Sequence, residues 1–93
     1  MTQQAFTNVW DALEDSPSEA ENMKLRAKLM MALETHIHAK GWTQSEAAGR
    51  LGVSQPRISD LLRGKISLFA LDTLVNMAVV AGLKIEITVT EAA

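Results

Sequence analysis

The side chains with the most to offer another molecule lie in one short run of the 93-residue chain: Ser54, Gln55, Pro56, Arg57, Ser59 and Arg63, with Lys65 just beyond. A carboxamide presents a donor and an acceptor side by side and can pair bidentately with adenine; a guanidinium matches guanine or a phosphate, and a hydroxyl serves a base or the backbone. This is the chemistry of recognition, and the parts needed for bond-making are missing. There is no cysteine, no nucleophile–base pair, no carboxylate pair in a pocket pattern, no phosphate-binding glycine loop and no metal spacing. His36 and His38 stand two apart, so on a helix they point about 200° away from each other, whereas chelation wants i, i+4. The expectation is a protein that is not an enzyme and uses no cofactor or metal.

The polar run needs an element to hold it out. Ser54 can cap a helix, Pro56 falls in the first turn where a missing N–H costs nothing, and Ile58, Leu61 and Leu62 make a buried stripe at i, i+3, i+4. Gly64 stops the helix. Wound at about 100° per residue with that stripe inward, the helix turns Pro56, Ser59, Asp60 and Arg63 outward, sets Arg57 on the flank and leaves Gln55 at the exposed tip. A second helix precedes it. Thr43 and Glu46 form a capping box, Trp42 and Ala47 occupy the positions of a hydrophobic staple, and Ala47, Ala48 and Leu51 give a small apolar face that permits close approach. Gly52 tolerates positive φ and ends this helix sharply. Two capped helices with a tight turn between them make a helix-turn-helix, whose second helix presents its N-terminal residues to base edges in the major groove. The plain alternative is a helical hairpin whose polar face is merely solvated.

The stretch TQSEAAGRLGVSQPRISDLLRGK, residues 43–65, resembles the Xre-type helix-turn-helix of phage repressors, Cro-like proteins and many bacterial antitoxins. The whole chain, with its short acidic leader and terminal strand, is similar to the small HigA-type antitoxins that repress their own operon. The resemblance implies a lambda-repressor-like fold, a bacterial cytoplasmic setting with the protein on the nucleoid when bound, and a small basic ribonuclease toxin as partner. It also implies that Gln44 contacts a phosphate and Gln55 reads a base. Pro56 and Ser59 would lie near base edges, Arg57 would meet a base or phosphate, and Lys65 would touch the backbone. Asp60 departs from this scheme: on the outward face it repels phosphate unless it pairs with Arg57 or Arg63, both at i±3, or accepts from a cytosine amine.

Net charge is −2, which looks wrong for binding a polyanion until it is divided along the chain. Residues 1–21 hold five acids and no Lys or Arg; residues 22–65 hold eight bases against three acids; residues 66–93 hold Lys84 against three acids. The motif carries the positive field, and affinity follows which bases face phosphate rather than the total. The absence of cysteine suits a reducing cytoplasm. No apolar run is long enough to span a bilayer, and residues 1–21 show no basic-then-apolar signal pattern. The length bounds the chain to one small domain.

In chain order, residues 1–15 read as an acidic leader. Phe6, Val9, Trp10 and Leu13 suggest a short helix over 8–14; Phe6 and Trp10 either pack back on the domain or anchor a partner such as the toxin. Ser16, Pro17 and Glu19 open a long helix reaching Ala39 and ended by Gly41, with Met23, Ala27, Met30, Leu33 and Ile37 as its stripe, broadened by Leu29. Lys24, Arg26 and Lys28 point in several directions, mainly into solvent. After the motif, Ser67 caps another helix or the helix begins near Ala70, with Leu71, Leu74, Val75, Ala78 and Val79 inward and Gly82 as the stop. Leu68 and Phe69 seal the bottom of the recognition helix. Residues 16–82 thus form the helix-turn-helix domain and 83–93 a dimerisation strand and tail. Leu83, Ile85, Ile87 and Val89 alternate with Lys84, Glu86, Thr88 and Thr90, a strand with one apolar face. Either it lies alone on the surface or it pairs with its own copy across a two-fold axis. The second choice gives a homodimer whose recognition helices, ~34 Å apart, read a palindrome.

The expected fold is mainly α, about five helices with one C-terminal strand pairing across a dimer. The expected function is a sequence-specific repressor, with an antitoxin, a solitary regulator and a protein-interaction module without an operator as the readings in contention.

Overall fold

The computed structural model describes residues 16–91. Four helices and one 3₁₀ turn appear among them: α1 (Pro17–Lys40), α2 (Gln44–Leu51), α3 (Gln55–Leu62), the turn Ile66–Leu68, and α4 (Leu71–Val80). The expected helix over 8–14 lies outside the described residues.

Each helix begins where its cap chemistry directs. Ser16 accepts from the Glu19 N–H at 3.1 Å, with Pro17 as the first helical residue of α1. Thr43 and Glu46 close the capping box reciprocally at 3.1 and 2.9 Å, and Ser54 accepts from the Arg57 N–H at 3.3 Å. Gly52, at φ 70°, ends α2 in the left-handed conformation, and the Val53 N–H returns to the Ala48 carbonyl at 3.0 Å. An L-residue pays strain for that φ, so the turn between the motif helices depends on glycine. α4 starts at Ala70 with no side-chain cap; Ser67 sits inside the 3₁₀ turn instead.

The core is a single cluster built from every helix: Met30, Leu33 and Ile37 from α1, Ala47, Ala48 and Leu51 from α2, Ile58 and Leu61 from α3, Phe69 from the connection, and Leu74, Met77 and Ala78 from α4. Trp42, Leu62, Leu83 and Ile85 pack against it half-buried. The alanines of α2 are what let α3 sit close.

Several expectations change. Met23 is 43% exposed: the buried residues of α1 begin only at Met30, and Glu21 and Leu25 flank residues 87–90 rather than the core. In α4 the buried triplet is Leu74, Met77 and Ala78, so the helix rolls Val79 outward to 61% exposure while Leu71 and Val75 stay half-buried. Phe69 is buried, but Leu68, expected to help seal the recognition helix, is exposed. Arg26, expected in solvent, is half-buried and donates from its guanidinium to the carbonyls of Ile66 (3.2 Å) and Phe69 (3.4 Å), with a further bond to Asn22 Oδ1 at 2.6 Å. It clips α1 to the exit of α3.

The C-terminal strand also needs correcting. Residues 83–91 form no β-ladder; the Leu83 N–H donates to the Ala78 carbonyl at 2.9 Å, and Leu83 and Ile85 pack on the core while Ile87 and Val89 are exposed. A ladder needs two strands, and the described residues offer no second one.

The two faces of α4 predict opposite responses. Leu74→Ala should lower stability by about 2–5 kcal/mol, as for a fully buried leucine, and Val79→Ala by no more than about 0.5 kcal/mol. Urea midpoints measured on dilute protein check both values.

Candidate nucleic-acid interface

The starts of α2 and α3 meet at an open notch lined by Gln44, Gln55, Pro56 and Ser59. Gln44 is the first residue of α2, and Gln55 and Pro56 are the first two of α3. All but Ser59 are exposed, and Ser59 is half-buried at the floor. Both helices direct their positive dipole ends here. In α2 the capping box uses the amides of Thr43 and Glu46, which leaves the N–H groups of Gln44 and Ser45 without a hydrogen bond among the described residues. In α3 the Ser54 cap takes the Arg57 amide and Pro56 has none, so the Gln55 N–H is similarly free. Free amides at a helix start, beside carboxamides, suit an anionic ligand such as a phosphate; the acid in this first turn, Glu46, is engaged with the Thr43 N–H. Ser54 is exposed; its oxygen is engaged as the cap while its hydroxyl hydrogen stays available to donate.

The charged residues around the notch are arranged differently from the sequence expectation. Arg57 lies with its guanidinium carbon 4.6 Å from the centroid of the Phe69 ring and donates from Nη1 to the Leu68 carbonyl at 3.0 Å. It therefore braces α3 against the connection to α4, and its remaining donors have no partner among the described residues. Asp60 pairs with Lys65 at 3.7 Å rather than with Arg57 or Arg63. The chain turn after α3 explains this: the Lys65 N–H bonds the Asp60 carbonyl at 3.1 Å, which brings the lysine back alongside the helix. Lys65, expected to meet phosphate, thus already has a carboxylate beside it, while Arg63 is exposed and forms no ion pair among the described residues.

Arg50, unassigned from sequence, sits in the last turn of α2 with its guanidinium carbon 5.3 Å from the Trp42 ring centroid. The other neighbour of Trp42 is His36, whose ring meets it edge-on at 5.5 Å. His38 instead lies near Glu34 at 3.8 Å, so the two histidines diverge as the i, i+2 spacing requires. Neither the Arg50 stack nor the Arg26 clip had a local signal, since their partners lie on other turns or are backbone carbonyls 40 or more residues away.

Two capped eight-residue helices meeting at an amide-rich notch are the geometry of one known domain class, and a family model described as a helix-turn-helix domain matches residues 12–90. The chain belongs to that family. A solved structure named as an XRE family transcriptional regulator is similar to this helix-turn-helix protein at 29% identity with a TM-score of 0.72, over 78% of this chain and 82% of that one. No curated protein matches. No helix among the described residues is long and apolar enough to cross a membrane.

The Arg57 brace makes a prediction independent of any ligand. Arg57→Ala should cost about 1–2 kcal/mol through the lost hydrogen bond and ring contact. Lysine at this position should recover only part, because an ammonium lacks the planar face that stacks. Thermal melts of the two variants against the parent protein check the order.

Proposed function

We propose that this helix-turn-helix protein is a sequence-specific DNA-binding repressor, acting as a homodimer on a palindromic operator. The observation that carries the reading is the notch: unbonded N-terminal amides and the side chains of Gln44, Gln55, Pro56 and Ser59 on one open surface. In this reading Gln44 and the amides of α2 hold a phosphate, which fixes register, and Gln55 reaches a base edge with Pro56 and Ser59 beside it. Ser54, Arg63 and Lys65 add backbone contacts, and Arg57 holds the tip in place while its free donors face the duplex. The similarity to a structure named as an XRE family regulator supports the same role. Asp60 tempers Lys65 and so limits indiscriminate binding to phosphate. Dimerisation runs through Leu83, Ile85, Ile87 and Val89; the first two rest on the core and the last two are exposed.

The deciding measurement is binding to the DNA upstream of the protein's own reading frame, followed across salt. Affinity should fall steeply with salt. Gln55→Ala should relax preference at one base position by about 1–3 kcal/mol, and Asp60→Asn, by releasing Lys65, should steepen the salt dependence by about one phosphate contact per subunit. Binding partners whose affinity ignores salt, with no DNA retained even at low ionic strength, would instead make the chain a protein-interaction module.

The finer reading is an autoregulating antitoxin. It rests on the overall likeness to HigA-type chains and on the five acids without a base in residues 1–21, a charge suited to a small basic ribonuclease. Phe6 and Trp10 are its anchors to the toxin. Removing residues 1–15 should abolish capture of the protein encoded beside this one; capture at full strength by the shortened chain would retire that assignment.

A further inference from the structure

We propose that the homodimer closes as a short antiparallel ribbon of residues 83–87 centred on Ile85, so that Lys84 of each copy faces Glu86 of the other. The proposal rests on the dimeric reading above and specifies its partner surface and register.

Four observations lead to it. The Leu83 N–H makes the last backbone hydrogen bond among the described residues; from Lys84 to Glu91 no amide or carbonyl has a partner there. The same segment has period two: Leu83 and Ile85 are half-buried, Lys84 and Glu86 are exposed, and Lys84 Nζ lies 3.5 Å from Glu86 Oε2 on the shared outer face. An extended chain with unpaired amides and one apolar face is completed by another extended chain, since only that satisfies backbone and side chains together. Third, the apolar face is covered unevenly. Its own domain shields Leu83 and Ile85, but Ile87 and Val89 are 72% and 85% exposed. Fourth, a second uncovered apolar patch, Val79 and Val80 at 61% and 59%, lies where the segment begins. An antiparallel self-pair carries the bare end of one copy to the beginning of the other and covers both patches in one step.

Charge and hydropathy then choose the register. A shift by one residue opposes apolar to polar faces and is excluded. Centring on Glu86 sets the two Glu86 carboxylates against each other, and like charges directly opposite are unfavourable. Centring on Ile87 sets Leu83 against Glu91 and Lys84 against Thr90. Centring on Ile85 sets Lys84 against Glu86 twice, Leu83 against Ile87 twice and Ile85 against its own copy, so each opposed pair of residues 83–87 is matched in character. The segment is thus complementary to itself, which is what a two-fold interface demands and what a foreign partner would have no reason to match.

The chain contains no cysteine, so introduced thiols report without background. Lys84 and Glu86 are largely exposed, and the variants Lys84→Cys and Glu86→Cys should fold as the parent does. After the two variants are mixed, allowed to exchange subunits and mildly oxidised, the mixed disulfide should form about tenfold faster than either variant forms one with itself, because only the facing pair falls within bonding distance. Fast self-linking of Glu86→Cys, or of a third variant Ile87→Cys, would give another register and overturn the assignment. So would a chain that sediments as a monomer at every concentration, whether its own leader or another protein covers the face. Adding operator DNA to the linked dimer separates this from the function proposed above. A correctly linked dimer that ignores DNA removes the repressor reading alone, and a monomer that still binds DNA removes the ribbon alone.

Discussion

An eight-residue helix is too short to persist alone in water, and the two helices that form the notch are both that short. Everything the notch does therefore depends on burial imposed from behind. Ala47 and Ile58 are fully buried, one from each motif helix, against Leu33 and Leu74 from α1 and α4. The alanine keeps the helices close and the isoleucine sets the rotation of α3. With the buried stripe fixed, Gln55 and Pro56 have only one direction left. The capping residues then select where each helix begins, and so which amides remain unbonded.

Charge in this small domain is used internally more than its composition suggests. Arg26 joins α1 to two carbonyls at the exit of α3, Arg57 joins α3 to Phe69 and Leu68, and Lys65 lies beside Asp60. Each of the two arginines spans elements that hydrophobic contact alone would hold loosely, and each satisfies carbonyls left over where regular structure stops. The surplus of bases in residues 22–65 is accordingly not all free field. What remains outward around the notch is mostly polar and neutral, with Arg63 the exposed charge of α3's end.

Much of this was legible in the sequence because the signals were local. Thr43 with Glu46, Gly52, and Ser54 with Pro56 each mark a boundary by their own conformational chemistry, and the i, i+3, i+4 stripe of Ile58, Leu61 and Leu62 gives the facing of α3. The notch residues followed from that facing. What could not be read was long-range or marginal. The phase of α4 was ambiguous because Leu71–Val80 is apolar almost all round, so Val79 and Met77 were exchanged. Arg26 was indistinguishable from a solvated base, since the acceptors that tie it to the 66–69 connection are backbone atoms. The alternation of residues 83–89 shows an extended chain with an apolar side, but alternation cannot say what lies alongside it. The exposure of Met23 could not be read either, because it depends on where along α1 the other helices begin to cover it.

The Arg26 clip joins pieces that are far apart along the chain. α1 begins at Pro17 and is held to the 66–69 connection by Arg26; that connection holds Phe69, on which Arg57 of the recognition helix is stacked. Any change in how α1 is seated at Arg26 would therefore be felt at the start of α3, relayed through two carbonyls and one aromatic ring.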